Sequence, residues 1–188
     1  GTTTARSSPV QIGALTNWSY VNNRSFYFAC VGAIKTNGTL WAWGYNGIGQ
    51  LGLSNTYYYS SPKQIGALTT WSKITLGSNF MCAIKTNGTL WAWGGNGSGQ
   101  LGLGNTTNYS SPLQIGALTN WLSIASGYDF VIATKTDGTI WTWGSNGSGQ
   151  LGLGNTTRYS SPKQVGSLTN WSIPAADSYS ALAIKTDG

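Results

Sequence analysis

Asn87-Gly88-Thr89-Leu90-Trp91-Ala92-Trp93-Gly94-Gly95-Asn96-Gly97-Ser98-Gly99-Gln100-Leu101-Gly102 is the stretch whose reading decides the fold. Leu90-Trp91-Ala92-Trp93 alternates large and small residues, so a strand would set both indoles on one face and the alanine on the other. Upstream, Met81-Cys82-Ala83-Ile84-Lys85-Thr86 reads as a second strand leading into Asn87-Gly88. That dipeptide suits a type I′ turn, because both residues tolerate positive φ, and the two strands are expected to form a β-hairpin.

Fifty residues to either side the pattern returns. Trp41-Ala42-Trp43-Gly44 and Trp141-Thr142-Trp143-Gly144 repeat the strand, and Gly49-Gln50-Leu51-Gly52 and Gly149-Gln150-Leu151-Gly152 repeat the glycine-rich segment. Pro62, Pro112 and Pro162 share the offset, as do Trp71, Trp121 and Trp171, and the turn recurs at Asn37-Gly38, Asp137-Gly138 and Asp187-Gly188. Self-similarity at a fixed period marks a repeat architecture. Trp18 belongs to the Trp71 class but lies further ahead of its hairpin, which implies a three-residue insertion around Asn22-Asn23-Arg24.

Two more strands complete each copy. Trp71-Ser72-Lys73-Ile74-Thr75-Leu76-Gly77 reads as a strand ended by glycine, and Ser61-Pro62-Lys63-Gln64-Ile65-Gly66 as an edge strand, where proline is tolerated. Four short strands per copy, rich in Gly and Trp, are the cue for a β-propeller. The expected fold is therefore all-β, with residues 1–188 forming a single array of four-stranded blades, three full repeats and a partial one.

The pattern LWAWGxNGxGQLGLGNTTxYSSPxQIGALTxWxxIxxG…AIKTNG resembles the repeat of the RCC1 (regulator of chromosome condensation) family across essentially the whole chain. It is especially similar to the Trp- and Asn-rich form found in bacterial and bacteriophage proteins. The resemblance implies a propeller, usually of seven blades. It also implies a choice of functions, because such proteins include a nucleotide exchange factor for a small GTPase, regulators of membrane traffic and secreted enzyme inhibitors.

Gly1 to Pro9 aligns without a gap on Gly154 to Pro162, so the sequence starts in mid-repeat, and it stops in mid-repeat at Asp187-Gly188. Ring closure is expected to come from a longer chain, from a second copy, or from a partner packed on the open array. Pro174 and Asp177 replace Ile74 and Gly77 in the fourth copy, and a proline there is expected to break inner-strand pairing and mark a boundary.

The composition narrows the chemistry. Charged residues make up 7% of the chain, with ten Lys and Arg against four acidic residues, all Asp, for a net charge of +6. No basic run concentrates that charge, which argues against nucleic acid as the partner. The absence of His and Glu excludes His-based triads, His metal sites and paired glutamates. Asp137 and Asp187 fall in hairpin turns, Asp129 and Asp177 near strand ends, where carboxylates satisfy backbone N–H groups. Cys30 and Cys82 are not spaced as a metal or redox pair and read as small buried residues. The glycine-rich segments lack the Lys-Ser/Thr and helix of a phosphate loop. No catalytic residue, metal or cofactor is expected, and no stretch is long and apolar enough to span a membrane as a helix.

Two surfaces remain as candidates. The segment after Gln-Leu-Gly-Leu differs between copies: Tyr57-Tyr58-Tyr59, then Thr107-Asn108-Tyr109, then Thr157-Arg158-Tyr159. Tyr57, Tyr58, Tyr59, Asn108, Tyr109, Arg158 and Tyr159 would form an interaction rim, since Tyr and Arg are favoured at interfaces; Tyr59, Tyr109 and Tyr159 could equally just cover each blade's edge. Lys35, Lys85, Lys135 and Lys185, each two residues before its turn, would display a basic rim able to meet an acidic partner. The recurrent tryptophans are assigned to blade-to-blade packing rather than to sugar stacking. The expectation is a non-catalytic protein-binding or assembly module, extracellular, at a cell surface or on a virion. A carbohydrate-binding propeller using the Tyr rim and a guanine nucleotide exchange factor are the alternatives.

Overall fold

The structure is a computed structural model, and it describes Gln11, residues 16–24 and residues 29–187. Fourteen strands follow in order: β1 (Trp18–Arg24), β2 (Cys30–Lys35), β3 (Leu40–Gly44), β4 (Tyr59–Gln64), β5 (Trp71–Leu76), β6 (Phe80–Lys85), β7 (Leu90–Gly94), β8 (Tyr109–Gln114), β9 (Trp121–Ser126), β10 (Phe130–Lys135), β11 (Ile140–Gly144), β12 (Tyr159–Gln164), β13 (Trp171–Ala176) and β14 (Ala181–Lys185). They form three four-stranded antiparallel sheets, β1–β4, β5–β8 and β9–β12, and a two-stranded sheet of β13 and β14. Each four-stranded sheet is one propeller blade, and β5 contacts β9 and β9 contacts β13 from copy to copy, which puts these strands on the inner side.

The core lies between the blades. Along β6, Met81 and Ala83 pack with Leu40, Leu51, Ile74 and Trp93 in the cluster shared with the first blade, while Cys82 and Ile84 pack with Leu90, Val131 and Trp143 in the cluster shared with the third. A strand buried on both faces has no polar side to alternate with, so β6 reads as an unbroken apolar run up to Lys85. Both thiols are free and buried, Cys30 on one side and Cys82 on the other. Burial pushes the Cys30 thiol up to about 12 and the Cys82 thiol higher still.

Three local expectations are corrected. The hairpin turn is not type I′: Gly88 has a φ of 75°, but Asn87 is not among the residues with positive φ. Instead Gly88 N–H donates to the Lys85 carbonyl at 2.9 Å and Lys85 N–H to the Thr89 carbonyl at 3.0 Å, a type I turn followed by a glycine bulge. Asn87 is used otherwise: its Oδ1 accepts from both the backbone N–H and the hydroxyl of Thr89.

The insertion in the first copy also moves. Asn22 and Asn23 pair in register with Gly32 and Val31, as Thr75 and Leu76 pair with Cys82 and Met81. The extra length therefore falls between Asn23 and Val31, a segment that includes residues outside those described. The alignment of Gly1 to Pro9 lies outside them as well.

Pro174, finally, does not break the fourth copy. It sits within β13 opposite Ala183, as Ile74 sits opposite Ala83. The equivalent strands β5 and β9 are terminal in their sheets, so one edge carries no ladder and a proline can be accommodated there.

Candidate functional site

Each glycine-rich segment is built around a buried asparagine. Asn96 donates from Nδ2 to the carbonyls of Asn105 (3.0 Å) and Thr107 (3.0 Å), while its Oδ1 accepts from Leu101 N–H at 2.9 Å. Asn146 makes the same bonds to Asn155, Thr157 and Leu151, and Asn46 to Asn55 and Leu51. One side chain thus ties the start of the loop to its far end. Asn55, Asn105 and Asn155 then accept from the backbone N–H two residues on and donate to Tyr59, Tyr109 and Tyr159, at 3.2, 3.3 and 3.3 Å.

This network divides the Tyr-rich rim. Tyr59, Tyr109 and Tyr159 are half-buried, pinned by asparagine and paired opposite Gly44, Gly94 and Gly144. Tyr57 is 71% exposed and Tyr58 62% exposed, and they project from the held loop. Tyr58 lies on Tyr45 with ring centroids 4.7 Å apart. Asn108 is exposed, yet its Oδ1 accepts from Asn96 N–H at 2.8 Å, so it serves the loop's own shape. Arg158 is exposed in the corresponding place.

The lysines are not displayed on an open rim. Lys35, Lys85 and Lys135 are only 7, 8 and 5% exposed, and each ammonium lies over indole rings of its own blade. Lys85 Nζ is 3.6 Å from the Trp91 centroid and 4.9 Å from that of Trp71; Lys135 is 3.6 Å from Trp141 and 4.8 Å from Trp121; Lys35 is 3.7 Å from Trp41 and 5.1 Å from Trp18. Lys185, half-buried, is 5.5 Å from Trp171. The outer indole is fixed in turn, since Trp91 Nε1 donates to Thr89 Oγ1, which bonds Asn87. The turn, the lysine and two tryptophans are therefore one unit, in which cation–π attraction offsets part of the desolvation. Burial lowers the pKa of Lys85 and of Lys135. Sequence position alone put these lysines beside a turn; the missed signal was the tryptophan six residues after each of Lys35, Lys85 and Lys135.

The other tryptophan of each strand stitches blades together. Trp93 Nε1 donates to the Gln50 carbonyl and Trp143 Nε1 to that of Gln100, both at 3.0 Å. At the same junction as Trp143, between the second and third blades, Asp129 accepts from Ser78 Oγ at 2.7 Å and Gln100 Nε2 at 3.2 Å. Burial raises the Asp129 pKa, opposed by the Ser78 hydrogen bond and by Arg158. Among the described residues no cluster of His, Cys, Asp or Glu could hold a metal ion, and no helix is long and apolar enough to cross a membrane.

With this geometry in place, comparison with known proteins gives a family. The profile of the regulator of chromosome condensation (RCC1) repeat matches residues 37–84, 87–134 and 137–176, and a second RCC1 repeat profile matches 71–100 and 121–150. No curated protein matches the chain. Among solved structures, human WBSCR16 is 20% identical with a TM-score of 0.77 over 90% of this chain and 44% of that one. Prp20p from Saccharomyces cerevisiae, whose structure was described together with its binding to Gsp1p and histones, is 17% identical with a TM-score of 0.77 over 92% of this chain and 45% of that one. The same yeast RCC1 bound to Kap60 gives 22% identity and a TM-score of 0.72, over 85% and 38%. The chain spans less than half the length of these structures, and at such identity they share its fold.

Proposed function

This chain belongs to the regulator of chromosome condensation (RCC1) repeat family, and from that premise we propose that it is a non-catalytic protein-binding or assembly module whose partner meets the surface at Tyr57 and Tyr58. The observation that carries the reading is a division of labour. Residues constant in every complete copy, such as the lysine, its flanking tryptophans and the loop asparagines, hold the scaffold; position 58 differs in each complete copy (Tyr58, Asn108, Arg158) and position 57 is Tyr against Thr107 and Thr157, and both tyrosines are exposed. Large exposed aromatic rings on an ordered loop bury much area at small entropic cost, which is what an interface anchor requires. Relatives of the same fold whose partners are proteins support the class of function. Exposure outside a cell or on a virion is part of the proposal, supported by the Asn-, Thr- and Ser-rich, sparsely charged composition.

The test separates the three classes. The purified chain and its Tyr57→Ser/Tyr58→Ser variant are applied to a glycan array, to a small GTPase loaded with fluorescent nucleotide, and to a displayed protein library. The proposal expects no glycan signal, no acceleration of nucleotide release, and protein binders that lose about tenfold or more in affinity for the variant. Tyrosine-dependent glycan binding, or faster nucleotide release, would replace it.

A further inference from the structure

A cavity of about 390 Å³ lies between the second and third blades. Leu103, Ile115 and Pro162 line it together with Trp121, Trp141 and Lys135. Its polar element is the lysine–indole unit of the third copy. Lys135 is 5% exposed, and its ammonium lies over the two indole faces with no hydrogen-bond acceptor among the described residues. The Nε1–H of Trp121 is buried without an acceptor too. Asp137, the carboxylate whose charge reaches Lys135, is engaged elsewhere: its Oδ1 accepts from the Thr139 N–H and hydroxyl, and its Oδ2 from Asn120 at 3.5 Å.

An ammonium with unused donors, at the wall of a mainly apolar cavity, is complementary to a single anion carried on an apolar stem. We infer that this inter-blade cavity is a binding site for a glutamate side chain of a polypeptide partner, its carboxylate on Lys135 Nζ and its methylenes against Leu103, Ile115 and Pro162. One ammonium matches one carboxylate; a phosphate dianion would leave a charge uncompensated against Leu, Ile and Pro. The chain's net charge of +6 favours an acidic partner at long range. The inference rests on the proposed protein-binding function but not on the Tyr57 surface. Burial also lowers the pKa of Lys135, so a carboxylate would restore the stabilisation its ammonium lost on leaving water.

The experiment follows the indole ¹⁵N–¹H resonances of the whole chain on titration with acetyl-Leu-Glu-Leu-amide and acetyl-Leu-Gln-Leu-amide. The expected result is that the Glu peptide shifts Trp121 and Trp141 selectively, that the Gln peptide binds about tenfold more weakly or worse, and that Lys135→Met abolishes the difference. Asp137→Asn, which gives the third copy the residue that Asn87 supplies in the second, should tighten the Glu peptide several-fold, and it tests the idea even if Lys135→Met folds poorly. Equal binding of the two peptides, or no response to Asp137→Asn, would overturn the site. Shifts of the same two indoles by glucuronate, with no displacement by the Glu peptide, would overturn the polypeptide assignment. Tyr57→Ser/Tyr58→Ser should leave the peptide titration unchanged, so failure here is distinct from failure of the Tyr surface.

Discussion

The indole of Trp93 reaches across a blade boundary to donate its Nε1–H to the carbonyl of Gln50 at 3.0 Å, directly over Gly52. Gly52 has a φ of 71°, and a Cβ there would lie 2.7 Å from that nitrogen. Gly66 also has a positive φ, 59°, but its Cβ would meet nothing within 4 Å. Gly52→Ala and Gly66→Ala share the left-handed strain of about 1 kcal/mol. Gly52→Ala adds overpacking, so it should cost about 1–3 kcal/mol more in denaturant melts. Equal losses would contradict the stitching role of the indole.

Asn96 should be less replaceable than its size suggests. Asn96→Ala leaves the carbonyls of Asn105 and Thr107 and the Leu101 N–H without their partner, at about 2 kcal/mol or more. Asn96→Asp keeps the shape but turns a carboxylate oxygen on two carbonyls and should cost more still. Calorimetric melts of both variants at neutral pH give the order.

The thiols make a pH prediction. A thiol held protonated by the fold contributes stability that is complete below the free group's ordinary value near 9 and declines as pH climbs toward about 12, the folded value of Cys30. Native protein should therefore leave a disulfide thiol reagent unreacted at pH 8, and unfolded protein should react at both cysteines. Rapid reaction of the native chain would show that the inter-blade cores open readily.

Asp129 gives a second handle of the same sign, in the acid range. Its pKa is raised chiefly by burial, so its contribution is greatest when protonated and is lost as pH rises through the folded value. Asp129→Asn keeps an oxygen for Ser78 and Gln100 and should raise the melting temperature at pH 7, with no gain at pH 3. A lower melting temperature at pH 7 would mean that the attraction to Arg158 outweighs desolvation.

The blade was legible because its signals are local and repeat: the alternation in Leu90-Trp91-Ala92-Trp93, the glycine after the turn and the proline of an edge strand each carry their own physics. The turn type was not legible from Asn87-Gly88, because the choice between two turns with glycine at positive φ depends on Asn87 bonding Thr89 and Thr89 bonding Trp91. Pro174 was misjudged because pairing matters only on the side of a strand that has a neighbour. The lysines were misplaced for a similar reason: nearness to a turn implies exposure, whereas Lys85 is covered by tryptophans from two other strands of its own sheet. The Tyr surface was half legible, since variation between copies picked out the loop, while the half-buried Tyr59 and the exposed Tyr57 are separated only by the bonds of Asn55.

The most direct test of the central claim is photo-crosslinking from single positions, with a benzophenone side chain placed at Tyr57, Tyr58 or Tyr59 and the chain exposed to extract of the cells that make it. The account predicts one discrete protein adduct from positions 57 and 58 and none from position 59, whose side chain is tucked against the blade. Adducts of equal yield from all three positions, or from position 59 alone, would contradict it.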